Sequence, residues 1–368
     1  MVSSTLIIQG PIVHHDFNTL PIIKNHIINS SHLFDNIIIS TWNNERVTDT
    51  EYLFNLASKY NIKIILNEIP KIELKNRQQY NNYLHYYSTY SAIKSNYCQG
   101  EIIYKIRSDL SINLNDIVNF FTDKIEYDFR NQIGALWSYK TKPFAICDWL
   151  YVGSNKNLLD LCNAQLLYSS YSFSLRGRFE GLWPERDSVL KYLFYKKIID
   201  SKLFPTLTYL DFFPKIPKDI SQSWRLKQNG FNQNQIQLQN TIFQLFNLLP
   251  EHIAQKASIR RFDNRPWQRS DLLFHEQQVE IQNKGYANFL VTNRLLKYDF
   301  KIVKRNYFRD SLVLNYLAIK LKIGYIPLFG PIILFIGQVF MTLQSKYINL
   351  VKKYQNNFNK LYNNGKEI

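Results

Sequence analysis

Residues 102–109 have the sequence Ile-Ile-Tyr-Lys-Ile-Arg-Ser-Asp, in which a short apolar run leads directly into charged residues. The apolar run, Ile102–Tyr104, predicts a buried strand, and the charges begin where we expect that strand to end. In an open α/β sheet, ligands bind outside the carboxyl ends of the strands. Arginine pairs with phosphate oxygens in a bidentate manner, and a carboxylate can hold Mg²⁺ that also binds phosphate. Arg107 and Asp109 therefore predict a diphosphate site, with a surface ion pair as the alternative.

The same pattern, an apolar run followed by turn or polar residues, occurs twice earlier in the chain. The apolar run Thr5–Ile8 is closed by a Gly-Pro turn, which leaves the backbone open to close approach. Residues 36–42 form a second apolar strand that ends in polar groups and in Trp42, an aromatic residue suited to the border of a pocket. A third short strand is expected over Lys63–Leu66.

Helices are expected between these strands, over about 20–32, 49–60 and 77–97. Thr48 or Asp49 is the expected cap of the second helix. Strands that alternate with helices predict an α/β fold with a mainly parallel sheet.

Several short motifs, taken in order, resemble those of the WavE lipopolysaccharide-synthesis glycosyltransferases over about residues 5 to 215. The motifs are Gln9-Gly10-Pro11-Ile12, Ser40-Thr41-Trp42, Asn76-Arg77-Gln78, Lys105-Ile106-Arg107-Ser108-Asp109, Cys147-Asp148-Trp149-Leu150-Tyr151-Val152-Gly153 and Trp183-Pro184-Glu185. The resemblance implies a GT-A-like fold, a nucleotide-sugar donor and a role in building surface polysaccharide. The ordered set is much more specific than any one of its members.

The resemblance also implies roles for individual residues. The nucleotide would be bordered by Gln9, Gly10, Pro11 and Trp42. Arg107 and Asp109 would neutralise the leaving diphosphate. Many GT-A enzymes carry Asp-x-Asp where this chain has Arg107-Ser108-Asp109, so one of two carboxylates is missing. Asp109 is then the candidate ligand for Mn²⁺ or Mg²⁺, whose requirement stays open, and Arg107 is a candidate to supply the missing positive charge.

Three further residues have the chemistry that a sugar transferase needs. Asp148 lies in an apolar segment, where a carboxylate is costly unless it has a partner, and it is a candidate general base or the cap of a turn. Glu185 starts an expected helix, so it is either the other candidate base or an ordinary partner of the helix dipole. Arg77, at the start of a long helix, either reaches phosphate or pairs with Glu73.

Composition limits the class of protein. With 45% hydrophobic residues in 368, the chain can build an ample core, which excludes wholesale disorder. The cysteines, Cys98, Cys147 and Cys162, show no metal or disulfide spacing, which favours a reducing compartment. His14 and Asp16 closely follow the first strand, so we expect mature fold rather than a secretory signal at the amino terminus.

The formal net charge of +16 is concentrated in the tail, where residues 301–368 carry 11 Lys and Arg against 2 acids. The chain has no helix-turn-helix pattern, zinc spacing or RNA-recognition signature, so we expect no nucleic-acid partner. Residues 323–345 lack charge and are flanked by lysines. We expect this segment to enter or lie along an anionic membrane surface, with a single span or a buried hairpin as alternatives.

Together these features predict a GT-A-like domain over residues 1–215, a helical or irregular accessory region over 216–310, and a basic membrane-associating tail over 311–368. The polar stretch 228–244 is expected to contain a loop or linker. The expected function is transfer of a sugar, from a nucleotide-sugar donor, to a lipopolysaccharide, lipooligosaccharide or capsule glycan.

This reaction would take place at the cytoplasmic face of the inner membrane, where the acceptor is a glycan or is lipid-linked. A sugar nucleotidyltransferase and a noncatalytic membrane-bound assembly protein are the alternatives. The nucleotidyltransferase is disfavoured by the lack of a Gly-rich phosphate loop.

Overall fold

The computed structural model describes most of the amino-terminal two thirds of the chain. The described residues are 3–14, 17–72, 77–123, 128–139, 144–169, 184–198, 233–259, 272–286 and 289.

A seven-stranded sheet forms the centre of the described part. Its strands are β1 (Ser4–Gln9), β4 (Asn36–Trp42), β5 (Lys63–Asn67), β6 (Ile102–Arg107), β8 (Ile133–Ala135), β10 (Leu150–Ser154) and β11 (Phe246–Leu248). The remaining short strands pair outside this sheet and are β2 (Val13–His14), β3 (Phe17–Asn18), β7 (Leu110–Ser111), β9 (Ser138–Tyr139), β12 (Ser258–Ile259) and β13 (Leu272–Leu273).

The strands of the central sheet lie in the order β11-β8-β10-β6-β1-β4-β5. All neighbours are parallel except β10, which runs antiparallel to both β6 and β8. The chain moves outward from β1 through β4 to β5 and then returns to place β6 on the other side of β1. The strand order therefore reverses between β1 and β6, and in doubly wound sheets the crevice at such a reversal is where ligands bind.

Helices cover both faces of the sheet. They are α1 (Leu20–Ser30), α2 (Val47–Tyr60), α3 (Arg77–Lys94), α4 (Leu114–Asp123), α5 (Asn155–Leu167), α6 (Pro184–Tyr195), α7 (Gln233–Leu245), α8 (Glu251–Ala254) and α9 (His275–Lys284). Alternate residues of a strand point to opposite faces. Thus Ile7 of β1 belongs to the core cluster that contains residues of α3, α5, α6, α7 and α9. Leu6 and Ile8 belong to the cluster that contains residues of α1, α2 and α4. The mainly parallel α/β class predicted from the sequence is confirmed.

One local expectation is wrong, and a second is restricted to residues outside the described part. Neither Thr48 nor Asp49 caps α2, because the helix begins earlier and Arg46 is its N-cap, with Asp49 accepting a bond from the Arg46 guanidinium at 2.7 Å. Residues 233–244 of the polar stretch belong to helix α7, because Leu238 and Ile242 lie one turn apart and both are buried. Glutamine also tolerates a helix well. The expected loop or linker can then lie only in residues 228–232, which are outside the described residues.

Strand β6 is longer than its apolar run predicts. It continues through Lys105 to Arg107, so the charged residues begin inside the strand rather than after it. Lys105 is only 1% exposed, and its neighbours Tyr104 and Ile106 are buried as well. The amine finds acceptors within the fold, which lets the strand extend past the point where the hydrophobic pattern stops.

The region 216–310 contributes to the central sheet through β11, which pairs in parallel with β8. Residues 246–248 therefore belong to the central sheet, and the bounds of the three predicted regions stay predictions. Within the described residues, no helix is long and apolar enough to cross a membrane. The expected membrane segment, residues 323–345, lies outside the described residues, as does the whole tail from 311.

Candidate functional site

The turn after β1 is locked against the turn after β6. Gly10 has φ of +130°, a conformation that favours glycine, and a Cβ at this position would lie 2.7 Å from the Ser108 Oγ. The Ser108 amide donates to the Gln9 carbonyl at 2.7 Å, and the Ser108 hydroxyl donates to the Pro11 carbonyl at 2.9 Å. Two motifs that are about a hundred residues apart in sequence, beginning at Gln9 and Lys105, thus meet at the reversal of the strand order.

The side chain of Gln9 lies at this reversal with an unused acceptor. Gln9 is opposite Arg107 on one side and Ser40 on the other. It is 4% exposed, and its Oε1 atom has no hydrogen-bond partner among the described residues. A buried amide oxygen without a donor costs about 1–3 kcal/mol. This atom is therefore suited to receive a hydrogen bond from a ligand.

Arg107 and Asp109 form a bidentate ion pair. The Arg107 Nε and Nη2 atoms donate to the two carboxylate oxygens of Asp109, each at 2.8 Å. Burial lowers the pKa of Arg107, but the carboxylates of Asp109 and Asp148 outweigh that effect and raise it. Five N–H groups project from a guanidinium, so two serve Asp109 and three have no acceptor among the described residues.

Asp148 reaches the same edge because β10 is antiparallel. The amino end of β10 lies beside the carboxyl end of β6, where the Arg107 amide donates to the Trp149 carbonyl at 3.2 Å. Asp148 is 7% exposed, and no donor from the described residues bonds to its carboxylate. A largely buried carboxylate without such a donor is unusual, which strengthens its candidacy as a functional acid or base.

Lys105 contacts the main chain of Asp148, and the sequence pattern predicted no role for it. Its Nζ donates to the Asp148 carbonyl at 2.8 Å and lies 2.6 Å from the Nε2 atom of His85 on α3. Burial lowers the pKa of Lys105 to about 7, although Asp148 acts in the opposite direction. Burial, then the charges of Lys105 and Arg107, hold the pKa of His85 well below its usual value. The position of Lys105 after three apolar strand residues was the signal that could have identified it.

The carboxylates of Glu185 and Asp148 both raise the pKa values of Cys147 and Tyr139. Burial raises the pKa of Cys147 well above its usual value, and the negative charges of Asp148 and Glu185 raise it further. Burial likewise raises the pKa of Tyr139, again with contributions from both carboxylates. The structure therefore brings the two candidate bases into one neighbourhood, with Glu185 in the first turn of α6 as expected.

Trp42 is held in an aromatic stack with α3. Its ring is parallel to that of Tyr87, with centroids 6.5 Å apart, and Tyr87 stacks on Tyr83 at 5.9 Å. Tyr83 and Tyr87 are partly exposed, whereas Trp42 is 7% exposed. The stack places flat apolar surface beside the strand ends. Arg77 begins α3, but its side chain and Glu73 lie outside the described residues.

Glu45 is a further residue of this edge that the sequence did not indicate. Its carboxylate accepts bonds from the Ile12 amide at 2.8 Å, the Val13 amide at 3.3 Å and the Thr41 hydroxyl at 3.1 Å. These contacts tie the turn after β1 to the end of β4. Glu45 therefore stabilises the positions of the turn after β1 and the end of β4 relative to each other.

A cavity of about 620 Å³ lies between α1 and the start of α4. Its lining includes Asn25, His26, Asn113 and Lys256, and none of the predicted site residues contributes to it. The His26 ring closes one wall by bonding the Leu110 carbonyl at 2.7 Å. The predicted site is thus distinct from this cavity.

No known family model matches the chain, and no curated protein matches it. Function is therefore inferred from the geometry of the site and from the motifs themselves. The edge between β1 and β6 combines an unused buried acceptor, a guanidinium with free donors and two neighbouring carboxylates. Such a set is suited to bind a phosphorylated ligand and to transfer a proton beside it.

Proposed function

We propose that this chain is a GT-A-like glycosyltransferase that takes a sugar from a nucleotide-sugar donor and adds it to a bacterial surface glycan. The observation that supports the proposal most directly is the reversal of strand order between β1 and β6, with Gln9 and Arg107 side by side at the carboxyl ends. The kind of glycan comes from the resemblance to the WavE enzymes.

The donor would lie across the ends of β1, β4 and β6. The Gly10 turn allows close backbone approach, Gln9 offers its free amide oxygen, and the Trp42 stack offers a flat surface for the nucleotide. The remaining N–H groups of Arg107 would bind oxygens of the diphosphate. Asp109 would hold the guanidinium in the orientation that this requires.

Transfer needs a base for the acceptor hydroxyl. Asp148 or Glu185 would remove the proton as the hydroxyl oxygen forms its bond to the anomeric carbon of the sugar. The bond between that carbon and the diphosphate breaks in the same reaction, and the nucleoside diphosphate leaves with the electron pair. Arg107 would stabilise the charge that develops on the leaving group, which is often a large contribution to catalysis.

Whether Asp109 binds a divalent ion is a question for experiment, and no step of the proposed reaction uses such an ion. Both carboxylate oxygens of Asp109 accept bonds from Arg107, so an ion would have to share them. The described residues contain no group of three His, Cys, Asp or Glu side chains suited to a metal. We therefore derive transfer from Arg107 and the two carboxylates.

The first experiment is a thermal-shift screen of nucleotide sugars with and without Mn²⁺, because a ligand that binds the folded state raises its stability. Arg107→Ala should abolish the shift and Arg107→Lys should weaken it, since lysine lacks the bidentate fork. Arg46→Lys is a matched control at an exposed arginine. A full shift in Arg107→Ala would contradict the proposed donor site.

The second experiment separates the two bases. Asp148→Asn and Glu185→Gln should both bind donor, and the variant of the true base should lose transfer. Glu51→Gln, at an exposed helical site, is the control. Normal transfer by both amide variants would require another base.

The alternatives give different results in the same assays. A sugar nucleotidyltransferase would exchange pyrophosphate into the nucleotide, and a noncatalytic assembly protein would bind membranes without turnover. We also propose that residues 311–368 form a membrane-associating tail. The tail would hold the protein at the cytoplasmic membrane face, beside a lipid-linked acceptor. These residues lie outside the described part.

A further inference from the structure

Lys105 occupies an unusual position for a charged residue. It lies within a central strand, is 1% exposed, and its amine bridges His85 on α3 and the main chain of Asp148. The amine also lies over the Tyr151 ring, 5.3 Å from its centroid. Burying an amine in the middle of a sheet is costly, and every one of these contacts offsets part of that cost.

Lys105 faces a defined set of charged and titratable groups. They are His85 on α3, Arg107 on its own strand, Cys147 and Asp148 before β10, Tyr151 on β10, and Cys162 on α5. Asp148 carries the only carboxylate among these described groups. The attractive interaction of the Lys105 charge with a carboxylate is therefore with Asp148, the candidate base.

We propose that Lys105 is a positioning residue for Asp148, and that gain or loss of the Lys105 proton is transmitted to the segment Cys147–Trp149. The role of Asp148 in transfer rests on the function proposed above. The role of Lys105 rests on its two contacts and its place beside that segment.

The protonated amine donates to the Asp148 carbonyl, and its charge attracts the Asp148 carboxylate. Deprotonation removes the attraction and the cation above Tyr151, and the segment is then held by neutral hydrogen bonds alone. Burial lowers the pKa of Lys105 to about 7, so the change falls near neutral pH. Burial also holds the pKa of His85 well below its usual value, so that ring stays a neutral acceptor for the amine.

Trp149 provides a probe beside Asp148. Its ring packs edge-on against Trp137, with centroids 5.0 Å apart, and its carbonyl accepts the bond from Arg107. A shift of the segment changes the surroundings of that ring. Fluorine NMR of the full chain, labelled with 5-fluorotryptophan, resolves the signals of its 6 tryptophans, and Trp149→Phe identifies the relevant one.

We expect the Trp149 signal to titrate with a midpoint near neutral pH in the wild-type chain. Lys105→Met should remove this titration, whereas Lys63→Met, at an exposed lysine on β5, should retain it. A Trp149 signal that does not respond to pH, or one that titrates equally in Lys105→Met, would overturn the proposal.

Variants of His85 keep the test decisive if Lys105→Met does not fold. His85→Phe removes the acceptor of the amine and should move the midpoint to lower pH, because the protonated form loses a bond. His85→Gln provides an amide oxygen instead and should move it less. Identical midpoints in wild type and both variants would also overturn the proposal.

A kinetic measurement links the inference to transfer. Lys105→Met should lower kcat by between about tenfold and a hundredfold, through misplacement of Asp148, with little change in the KM for donor. A loss confined to KM would contradict a positioning role. If the wild type transfers no sugar, the proposed function fails while the NMR result stands. If it transfers sugar and Trp149 does not titrate, the positioning role fails alone.

Discussion

Replacing Lys105 with methionine should change how the stability of the fold depends on pH. Methionine has a similar length and no charge, so the substitution removes the titrating group while keeping most of the packing. The pKa of Lys105 falls from 10.5 for an ordinary lysine to about 7 in the fold. Burial is the main cause, because the charged amine loses its hydration.

The direction of the effect follows from proton binding. Between about pH 7 and about pH 10.5 the unfolded lysine holds its proton and the folded one largely does not. The unfolded state then binds more protons, so the free energy of unfolding rises with pH across this window. Below about pH 7 both states are protonated, and the fold carries the whole cost of burying the charge.

The magnitude follows from the interval of about 3.5 pH units between the two pKa values, at about 1.4 kcal/mol each. The whole effect is about 5 kcal/mol, of which about 2 kcal/mol falls between pH 7 and pH 9. The free energy of unfolding of Lys105→Met minus that of the wild type should fall by that amount across these two pH units. Taking the difference between the two proteins cancels the groups that the charge of Lys105 does not affect. Lys105 does act on Cys162, but burial raises the pKa of that thiol to about 12, so in the fold it titrates above this window.

Urea unfolding followed by circular dichroism, at several pH values between these limits, measures the difference. Lys63→Met should track the wild type, because that lysine is exposed. A difference between wild type and Lys105→Met that stays constant within about 0.5 kcal/mol would refute the reasoning, since a buried amine with a lowered pKa must make the free energy of unfolding rise with pH.

Three further predictions concern other parts of the chain. Gly10→Ala should lower the free energy of unfolding by about 1–3 kcal/mol or more. The loss should exceed that of Gly285→Ala, because both glycines have positive φ but a Cβ meets Ser108 only at Gly10. Equal losses in urea unfolding would count against the contact between the two turns. Asp109→Ala should lower the free energy of unfolding by about 3–5 kcal/mol, because it leaves Arg107 without its ion-pair partner. The activity of this variant must therefore be compared at temperatures where it stays folded. An unchanged melting temperature would mean that the ion pair contributes little. Truncation before residue 323 should release the protein from anionic liposomes in flotation and spare donor binding, and full-length protein that does not float would remove the membrane role of the tail.

The Asp109 prediction changes an expectation that the sequence supports. A residue that directly follows a strand is expected to lie at the edge of the sheet and to contribute little packing, so the sequence predicts that its removal leaves the fold intact. In the structure Asp109 is 4% exposed and bonds Arg107 through both oxygens. Loss of activity in Asp109→Ala alone would therefore not identify a donor contact.

The sequence by itself determined the α/β class, because apolar runs of strand length alternate with amphipathic helices and the turn signals fall between them. It also indicated that Gln9, Arg107 and Asp109 lie at strand ends, since polar residues follow buried runs there. These properties are local, and a hydrophobic pattern with Gly and Pro reports them directly. It could not extend β6 through Lys105, because a lysine within a strand looks like its end.

Only the tertiary structure decided which strand ends meet. The order that puts β6 beside β1 and the antiparallel direction of β10 depend on packing between distant segments, and these two choices bring Asp148 to Arg107. The contacts of Lys105 with His85 and Asp148 join three elements far apart in the chain. A buried charge is tolerated only where such partners converge, so its role becomes visible when the chain is folded and not before.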